Sequence, residues 1–162
     1  MKTLIVMRHA KSDWSATGTA DIDRTLNKRG RTSAKAIGVW LTAGGFVPDV
    51  VLCSSARRTA ETWENMGLSA DIHYLRELYL AAPATILDTV RAVKRDSVMV
   101  LAHNPGIAAF AEAIVANAPD HDRFYDYPTA ATLVAEFDGD WSELAPGKAI
   151  ARAFTVPRDL VD

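Results

Sequence analysis

The chain has 162 residues, of which 49% are hydrophobic and 23% charged, a composition typical of one globular domain with a packed core. Its formal net charge of −2 excludes an overall basic field that would recruit nucleic acid or an anionic membrane. With one cysteine, Cys53, the chain cannot form an intramolecular disulfide. Because it also lacks a membrane-length apolar run and a signal-peptide pattern, we expect a monomeric, cytoplasmic protein with a single domain over 1–162.

Strands and helices alternate along the chain in the predicted order of elements. We predict a strand over 3–7, a polar irregular stretch over 10–25, a helix over 28–42 capped by Asn27, and a strand over 49–53. A helix capped by Ser55 then runs to residue 66 and precedes a strand over 71–75. A helix over 83–94, a strand over 97–102, a helix over 107–118 and late strands over 131–137 and 149–156 complete the chain.

This alternation predicts an α/β fold, because strands joined by helices form a mostly parallel sheet with helices on both faces. The last two strands are joined by a short connection containing Asp138-Gly139-Asp140, which allows antiparallel pairing. We therefore predict a three-layer α/β/α sandwich with a mostly parallel central sheet and late antiparallel strands. Periodicity alone leaves the strand order open.

Three of the predicted strands end in polar residues that suit phosphate chemistry. The residues that follow them are Arg8 and His9, then Arg58, and finally His103 and Asn104. If the strands are parallel neighbours, these side chains meet at one edge of the sheet, where α/β proteins bind ligands. The guanidinium group of arginine donates two parallel hydrogen bonds to one phosphate, and a neutral imidazole is a good nucleophile near pH 7. Two histidines beside two arginines thus favour phosphoryl transfer to nitrogen.

Each residue also has a structural explanation when taken singly. Arg8 is also explained as a surface charge at a strand end, Arg58 as a solvated residue on a helix, and His103 as the cap of the following helix. A metal trio that includes both histidines is disfavoured by the nearby arginines. A cysteine phosphatase is disfavoured because four residues, rather than five, separate Cys53 from Arg58.

The motifs resemble those of the histidine phosphatase (phosphoglycerate mutase-like) superfamily, and in particular its small phosphohistidine phosphatases of the SixA type. Met7-Arg8-His9-Ala10 matches the Arg-His-Gly signature, with alanine in place of glycine, and 102–106 matches the second histidine motif. The matching stretches between them are 23–30, 48–62 and 75–78. The resemblance therefore covers nearly the whole chain in order.

The resemblance implies a two-step reaction that needs no metal and no cofactor. His9 attacks phosphorus and becomes phosphorylated, and water then hydrolyses the phosphohistidine. Arg8, Arg58 and His103 bind the phosphoryl oxygens, and Asn104 is a further candidate for phosphate binding. Glu77 is the candidate general acid, with an ion pair to Arg76 as the structural alternative. We also expect a hydrogen bond from the second ring nitrogen of His9 to a backbone carbonyl, which would set the tautomer.

Several functions remain compatible with these residues. The substrate is expected to be a phosphorylated protein, such as a histidine phosphotransfer domain, or a small phosphate ester. A phosphoglycerate mutase-like activity is weaker, because the chain has little spare length for a lid over the substrate. A non-catalytic phosphoryl-binding module would require loss of the nucleophile or of an arginine, and both are present. Lys11 and Ser12 follow the signature, and we expect them either to reach the site or to lie in a solvated loop.

Overall fold

A six-stranded mixed sheet forms the centre of the fold in a computed structural model that describes residues 1–161. In chain order the strands are β1 (Lys2–Arg8), β2 (Val50–Ser54), β3 (Asp71–Leu75), β4 (Ser97–Ala102), β5 (Thr132–Phe137) and β6 (Ile150–Thr155). Their spatial order is β3-β2-β4-β1-β5-β6. The first four strands are mutually parallel, whereas β5 is antiparallel to both β1 and β6. The predicted fold class is confirmed, including the late antiparallel pair.

Helices cover both faces of this sheet. They are α1 (Lys28–Gly44), α2 (Arg57–Asn65), α3 (Pro83–Arg91), α4 (Gly106–Ile114) and α5 (Pro157–Leu160). On one face, α1 and α2 bury apolar residues such as Ile37 and Trp63 against β1, β2 and β4. On the other face, α3 and α4 bury residues such as Ile86 and Phe110. No helix within residues 1–161 is long and apolar enough to cross a lipid bilayer.

The helix predicted over 83–94 ends at Arg91, and two further predicted helix boundaries are wrong for identifiable reasons. Ser55 does not cap α2, since that helix begins after Ala56 and has no side-chain cap. Instead, the hydroxyl of Ser54 accepts from the backbone N–H of Ala56 at 3.3 Å. The fourth helix ends at Ile114, four residues early, because Val115 leaves the helix and forms a bridge to Ala149. Asn27 does cap α1, with its side chain accepting from Gly30 N at 2.8 Å.

The position of β1 brings distant segments together. It lies between β4 and β5, and its register with β4 places Arg8 opposite Ala102. Beyond the strand, His9 N donates to Ala102 O at 3.1 Å and His9 O accepts from Ala130 N at 2.9 Å. His9 is therefore held on both sides, and His103 follows β4 directly beside it.

Two glycines let helices approach the loops at this edge very closely. A Cβ atom on Gly30 would lie 2.1 Å from the carbonyl oxygen of Lys11, and one on Gly106 would lie 1.7 Å from that of Ala81. Both distances are far below van der Waals contact, so a larger residue would force the backbone apart. The first turns of α1 and α4 are thereby packed against the segments that border the predicted site.

Candidate active site

The predicted strand ends converge on one cavity of about 480 Å³. It is lined by residues from the ends of β1 and β4, the first turn of α2 and three loops, namely Arg8, His9, Lys11, Ser12, Trp14, Asp21, Arg58, Leu80, His103, Asn104 and Thr129. Four of the proposed site residues, two arginines and two histidines, therefore meet as expected from parallel neighbouring strands. Lys11 and Ser12 also reach this cavity.

His9 is held as a neutral imidazole with one available ring nitrogen. Its Nδ1 lies 2.7 Å from the carbonyl oxygen of Ala10, which can only accept, so Nδ1 carries the proton. The expected hydrogen bond to a backbone carbonyl is present. Burial, together with the positive charge of Arg8, lowers the pKa of His9 to about 3. Nε2 therefore keeps its lone pair throughout the neutral range, as a nucleophile requires.

His103 lies against His9, with 5.3 Å between the ring centroids. Its Nε2 is 2.7 Å from the hydroxyl of Ser54, and because that oxygen already accepts from Ala56 N, its proton is available to Nε2. The buried Nδ1 makes no hydrogen bond to any residue among 1–161, so this nitrogen is left to donate to an anion. Burial, followed by the charge of Arg58, lowers the pKa of His103 to about 3.

Arg58 is fixed in the cavity by Asp21, which begins a short 3-10 helix, Asp21–Asp23, distant in the sequence. Its Nη1 donates to Asp21 O at 2.7 Å and its Nη2 to the Asp21 carboxylate at 3.0 Å. The hydroxyl of Tyr79 donates to the same carboxylate. The hydrogen bond from Tyr79, with that from Arg58, lowers the pKa of Asp21. The neighbouring Arg57 points elsewhere and pairs with Glu61 at 3.3 Å on the surface of α2.

Arg8 supplies the second guanidinium of the cavity. Its Nη1 donates to Tyr127 O at 3.3 Å, while its buried Nε has no hydrogen-bond partner among the described residues. Burial and the charge of Arg58 both lower the pKa of Arg8. Two like charges facing one small cavity repel each other, and a doubly charged anion between them relieves that repulsion.

Asn104 lines the cavity, but its amide nitrogen is used elsewhere. Nδ2 donates to Tyr127 O at 3.0 Å and to Asp126 O at 3.4 Å, so it holds the segment that also receives Arg8. Its buried Oδ1 has no partner within residues 1–161 and is an acceptor, which does not suit a phosphate oxygen. The geometry favours a positioning role for Asn104, and the phosphate contact stays a prediction.

Glu77 is not brought to this cavity. It lies in a short 3-10 helix, Arg76–Leu78, and lines a separate cavity of about 430 Å³ together with Leu52 and Arg95. Leu78, the next residue, is completely buried in the core. The carboxylate that does line the catalytic cavity, among the described residues, is that of Asp21. The general acid role of Glu77 therefore has no geometric support.

The structure does not support a cysteine nucleophile or a metal site formed by the described residues. Cys53 is fully buried in the core beneath α1 and α2, and burial raises the pKa of its thiol to about 12, so the reactive thiolate is not formed. This agrees with its interpretation as a small core residue. Within residues 1–161, no three side chains among His, Cys, Asp and Glu are grouped closely enough to hold a metal ion.

Sequence reasoning missed three polar residues that organise the site. Ser54 could have been found, because it is the last residue of β2, at the same sheet edge as the other candidates. Tyr79 lies two residues beyond Glu77, and its ring meets that of His103 edge-on at 5.5 Å between centroids. Asp21 lies in an irregular stretch, where no periodicity distinguishes it from neighbouring polar residues.

The two depressed histidine pKa values predict a loss of stability on mild acidification. The unfolded chain binds these protons near pH 6.5, whereas the native protein binds them only near pH 3. The stability is thus complete above pH 6.5 and falls as the pH decreases toward 3. Between pH 7.5 and 5.5, urea titrations should show a free energy of unfolding lowered by about 1 kcal/mol for each histidine. His9→Asn and His103→Asn should each remove about half of this loss, and an equal effect of His73→Asn would contradict the assignment.

Comparison with known proteins places the chain among phosphatases. Residues 4–81 match the model of the histidine phosphatase superfamily (branch 1). An uncharacterized protein of Mycobacterium tuberculosis is 35% identical over 159 residues, covering 94% of this chain and 100% of the relative. A 2,3-bisphosphoglycerate-dependent phosphoglycerate mutase of Corynebacterium diphtheriae is 39% identical over 75 residues, but these cover 44% of this chain and 30% of the mutase.

Solved structures share the fold over almost the whole chain. A protein of Nakamurella multipartitia, described as a candidate phosphohistidine phosphatase SixA, superposes with a TM-score of 0.84 at 33% identity, and 96% of each chain is covered. A candidate SixA of Agrobacterium tumefaciens gives a TM-score of 0.80 at 28% identity, with coverage of 96% of this chain and 98% of that one. Because these two structures each cover 96% of this chain, the similarity extends well beyond residues 4–81.

Proposed function

Because the chain belongs to the histidine phosphatase superfamily and is a phosphatase, we propose that it forms a phosphohistidine intermediate on His9 and acts on phosphohistidine in a protein. The proposal rests on the geometry of the cavity together with the kinship to SixA-type proteins. The SixA-type neighbours are described as candidate phosphohistidine phosphatases, which supports the substrate class, and the residues of the cavity support His9 as the nucleophile.

In the first step, Nε2 of His9 attacks phosphorus in line with the bond to the leaving group. A bond forms between Nε2 and phosphorus, the bond between phosphorus and the substrate nitrogen breaks, and its electron pair stays on the departing imidazole. Arg8 and Arg58 neutralise the charge on the three equatorial oxygens, and Nδ1–H of His103 donates to one of them. The Nδ1–H bond to Ala10 O disperses the positive charge that His9 gains.

In the second step, water attacks the phosphorus held on His9, and inorganic phosphate leaves. The bond to Nε2 breaks, so that the imidazole returns to its neutral state with the proton still on Nδ1. The same three cationic or donor groups bind the transferred group in both steps, because its oxygens stay in place while phosphorus inverts. Since the guanidinium groups provide the charge neutralisation, we propose that no metal takes part.

One observation carries the choice of a phosphohistidine substrate. Among the residues that the structure describes, the carboxylate lining the cavity is that of Asp21, and its hydrogen bonds from Tyr79 and Arg58 lower its pKa and keep it ionised. An ionised carboxylate cannot give a proton to a departing alkoxide, which is a poor leaving group. A phosphorylated imidazole that is protonated on its other nitrogen leaves as neutral imidazole and needs no such acid. The site is thus matched to cleavage of a phosphorus–nitrogen bond.

The surroundings of the cavity fit a large substrate. Its rim includes the exposed side chains of Trp14, 71% exposed and stacked on Arg24, and of Leu80, 55% exposed. Exposed apolar groups beside a catalytic cavity are typical of surfaces that receive another protein. A small phosphate ester would leave both side chains in water.

The test compares substrates that differ in their leaving group. We expect the value of kcat/KM for a phosphorylated histidine phosphotransfer domain to exceed that for an alkyl phosphate by about 10³-fold, since general acid catalysis contributes ~10²- to 10⁴-fold where it operates. For a series of aryl phosphates, kcat/KM should fall steeply as the pKa of the leaving phenol rises. A flat series, or an alkyl phosphate cleaved as fast as the protein, would favour a small-ester phosphatase. Activity abolished by a chelator would contradict the metal-free mechanism.

A further inference from the structure

A second small cavity, of about 180 Å³, adjoins the catalytic one. It is lined by Lys11, Arg29, Ser33, Arg123, Pro128, Thr129, Val156, Pro157 and Arg158, and we call it the basic cleft. Lys11 and Thr129 line both cavities, so the two share a wall. A molecule whose phosphoryl group enters the catalytic cavity can therefore place a neighbouring group in the basic cleft.

The basic cleft is locally positive, although the net charge of the chain is negative. Four of the 18 lysine and arginine residues line it, in a protein whose net charge is −2, and its lining contains no aspartate or glutamate. They come from four separate segments, namely the loop after β1, the first turn of α1, the segment before β5, and α5. Such a convergence of cations produces a local field that attracts anions.

These cations are largely available for binding. Lys11, Arg29 and Arg158 are exposed, and they form no ion pair with any carboxylate of residues 1–161. Arg123 pairs with Asp126 through Nε at 2.8 Å, which leaves its terminal nitrogens free of that contact. Lys11, Arg29 and Arg158 therefore repel one another without a counterion among the described residues, and an anion in the cleft reduces this repulsion.

The wall shared with the catalytic cavity is also firmly built. The carbonyl oxygen of Lys11 accepts from Asn27 N at 3.0 Å, and Gly30 packs against the same carbonyl with no room for a side chain. Ser33, one turn further along α1, is buried and lines the cleft. The spacing between cleft and catalytic cavity is therefore set by the packing of α1 on the catalytic loop.

We propose that the basic cleft binds carboxylate side chains that lie beside the phosphohistidine on the substrate protein, an inference that rests on the proposed function. The cleft, of about 180 Å³, has room for carboxylate side chains but not for a folded element of the partner. Its cations are solvent-exposed, which suits the acidic surface of a protein and gives a contact that weakens with salt. The acidic group thus guides the phosphorylated histidine toward His9 and contributes to substrate choice.

Two synthetic peptides test this inference. Both carry one phosphohistidine; in one it is flanked on each side by three glutamates and in the other by three glutamines. At low ionic strength, kcat/KM should be at least about 10-fold higher for the glutamate peptide, with the difference shrinking as salt is added. The double variant Arg29→Glu/Arg158→Glu should lose this preference while retaining kcat/KM for p-nitrophenyl phosphate within about twofold, since neither residue lines the catalytic cavity.

A matched control separates the cleft from net charge. Lys35→Glu/Lys94→Glu changes the net charge by the same amount, at exposed positions outside both cavities, and should keep the preference. Equal rates for the two peptides in the unmodified enzyme, or equal losses in the two double variants, would overturn the inference but leave the proposed function intact. If propane-1,3-diyl bisphosphate is preferred over propyl phosphate and Arg29→Glu/Arg158→Glu removes that preference without affecting the peptides, the cleft serves a small bisphosphate instead. If neither peptide is dephosphorylated, the proposed function fails, and this inference fails with it.

Discussion

Replacement of His9 by alanine is expected to reduce kcat by about 10⁴-fold or more, because removal of a covalent nucleophile leaves only binding and charge neutralisation. In the unmodified enzyme, a brief incubation with radiolabelled p-nitrophenyl phosphate followed by rapid denaturation should trap a phosphorylated protein. The label should be lost in acid and retained in base, as expected for phosphorus bound to nitrogen. His9→Ala should show no such label.

The control for this experiment is His73→Ala, which removes an exposed imidazole on β3, away from the catalytic cavity. Its turnover and labelling should match those of the unmodified enzyme. Thermal unfolding should confirm that both variants are folded. Turnover that survives in His9→Ala, or a label retained by that variant, would refute His9 as the nucleophile.

Loss of Arg58 should have the second largest effect. Arg58→Ala is expected to lower kcat by about 10³-fold, within the range found for arginines that stabilise the transition state of phosphoryl transfer. The effect should fall on kcat more than on KM, because the negative charge on the equatorial oxygens is best matched in the transition state. Arg58→Lys should have a higher kcat than Arg58→Ala, since lysine restores the positive charge but not the bidentate hydrogen bonding of the guanidinium group.

Arg57→Ala provides the matched control for this experiment, since it removes the same side chain one residue earlier on α2. Arg57 pairs with Glu61 outside the cavity, so its loss should change kcat by less than about twofold. Asp21→Asn should give an intermediate loss, because Arg58 then keeps the bond to the Asp21 carbonyl but loses the ion pair. Equal kinetic effects of Arg57→Ala and Arg58→Ala would show that Arg58 acts through general charge rather than through contact with the phosphoryl group.

Much of the architecture could be predicted because it depends on local patterns. The runs that form β1, β2 and β4 are apolar and almost fully buried, so their positions follow from composition. Once parallel pairing is assumed, the residues after those strands must share one edge, which brings His9 near His103. The strand order depends instead on pairing between strands that are distant in the sequence, and the local periodicity of the sequence does not specify these pairs.

The residues around the site that could not be predicted from the sequence are of a different kind. Glu77 lies in the short 3-10 helix Arg76–Leu78 and lines the separate cavity, whereas Tyr79 directly follows this helix and contacts Asp21 and His103. Asp21 reaches Arg58 across 37 residues of sequence, from a loop that contains other aspartates. Choosing among such residues requires the path of the backbone, which local sequence does not specify.

The central position of β1 also has a consequence for how this protein is made. On the ribosome β1 is synthesised before its neighbours, yet its partner β4 starts at Ser97 and its other partner β5 starts at Thr132. Until those segments emerge, β1 has two unpaired hydrogen-bonding edges, which are prone to aggregation. Pairing across so much sequence makes folding slow relative to that of helical domains of similar size. The cavity is lined by residues that follow β1 and β4 and by Thr129 before β5, so it forms only once these distant segments have come together.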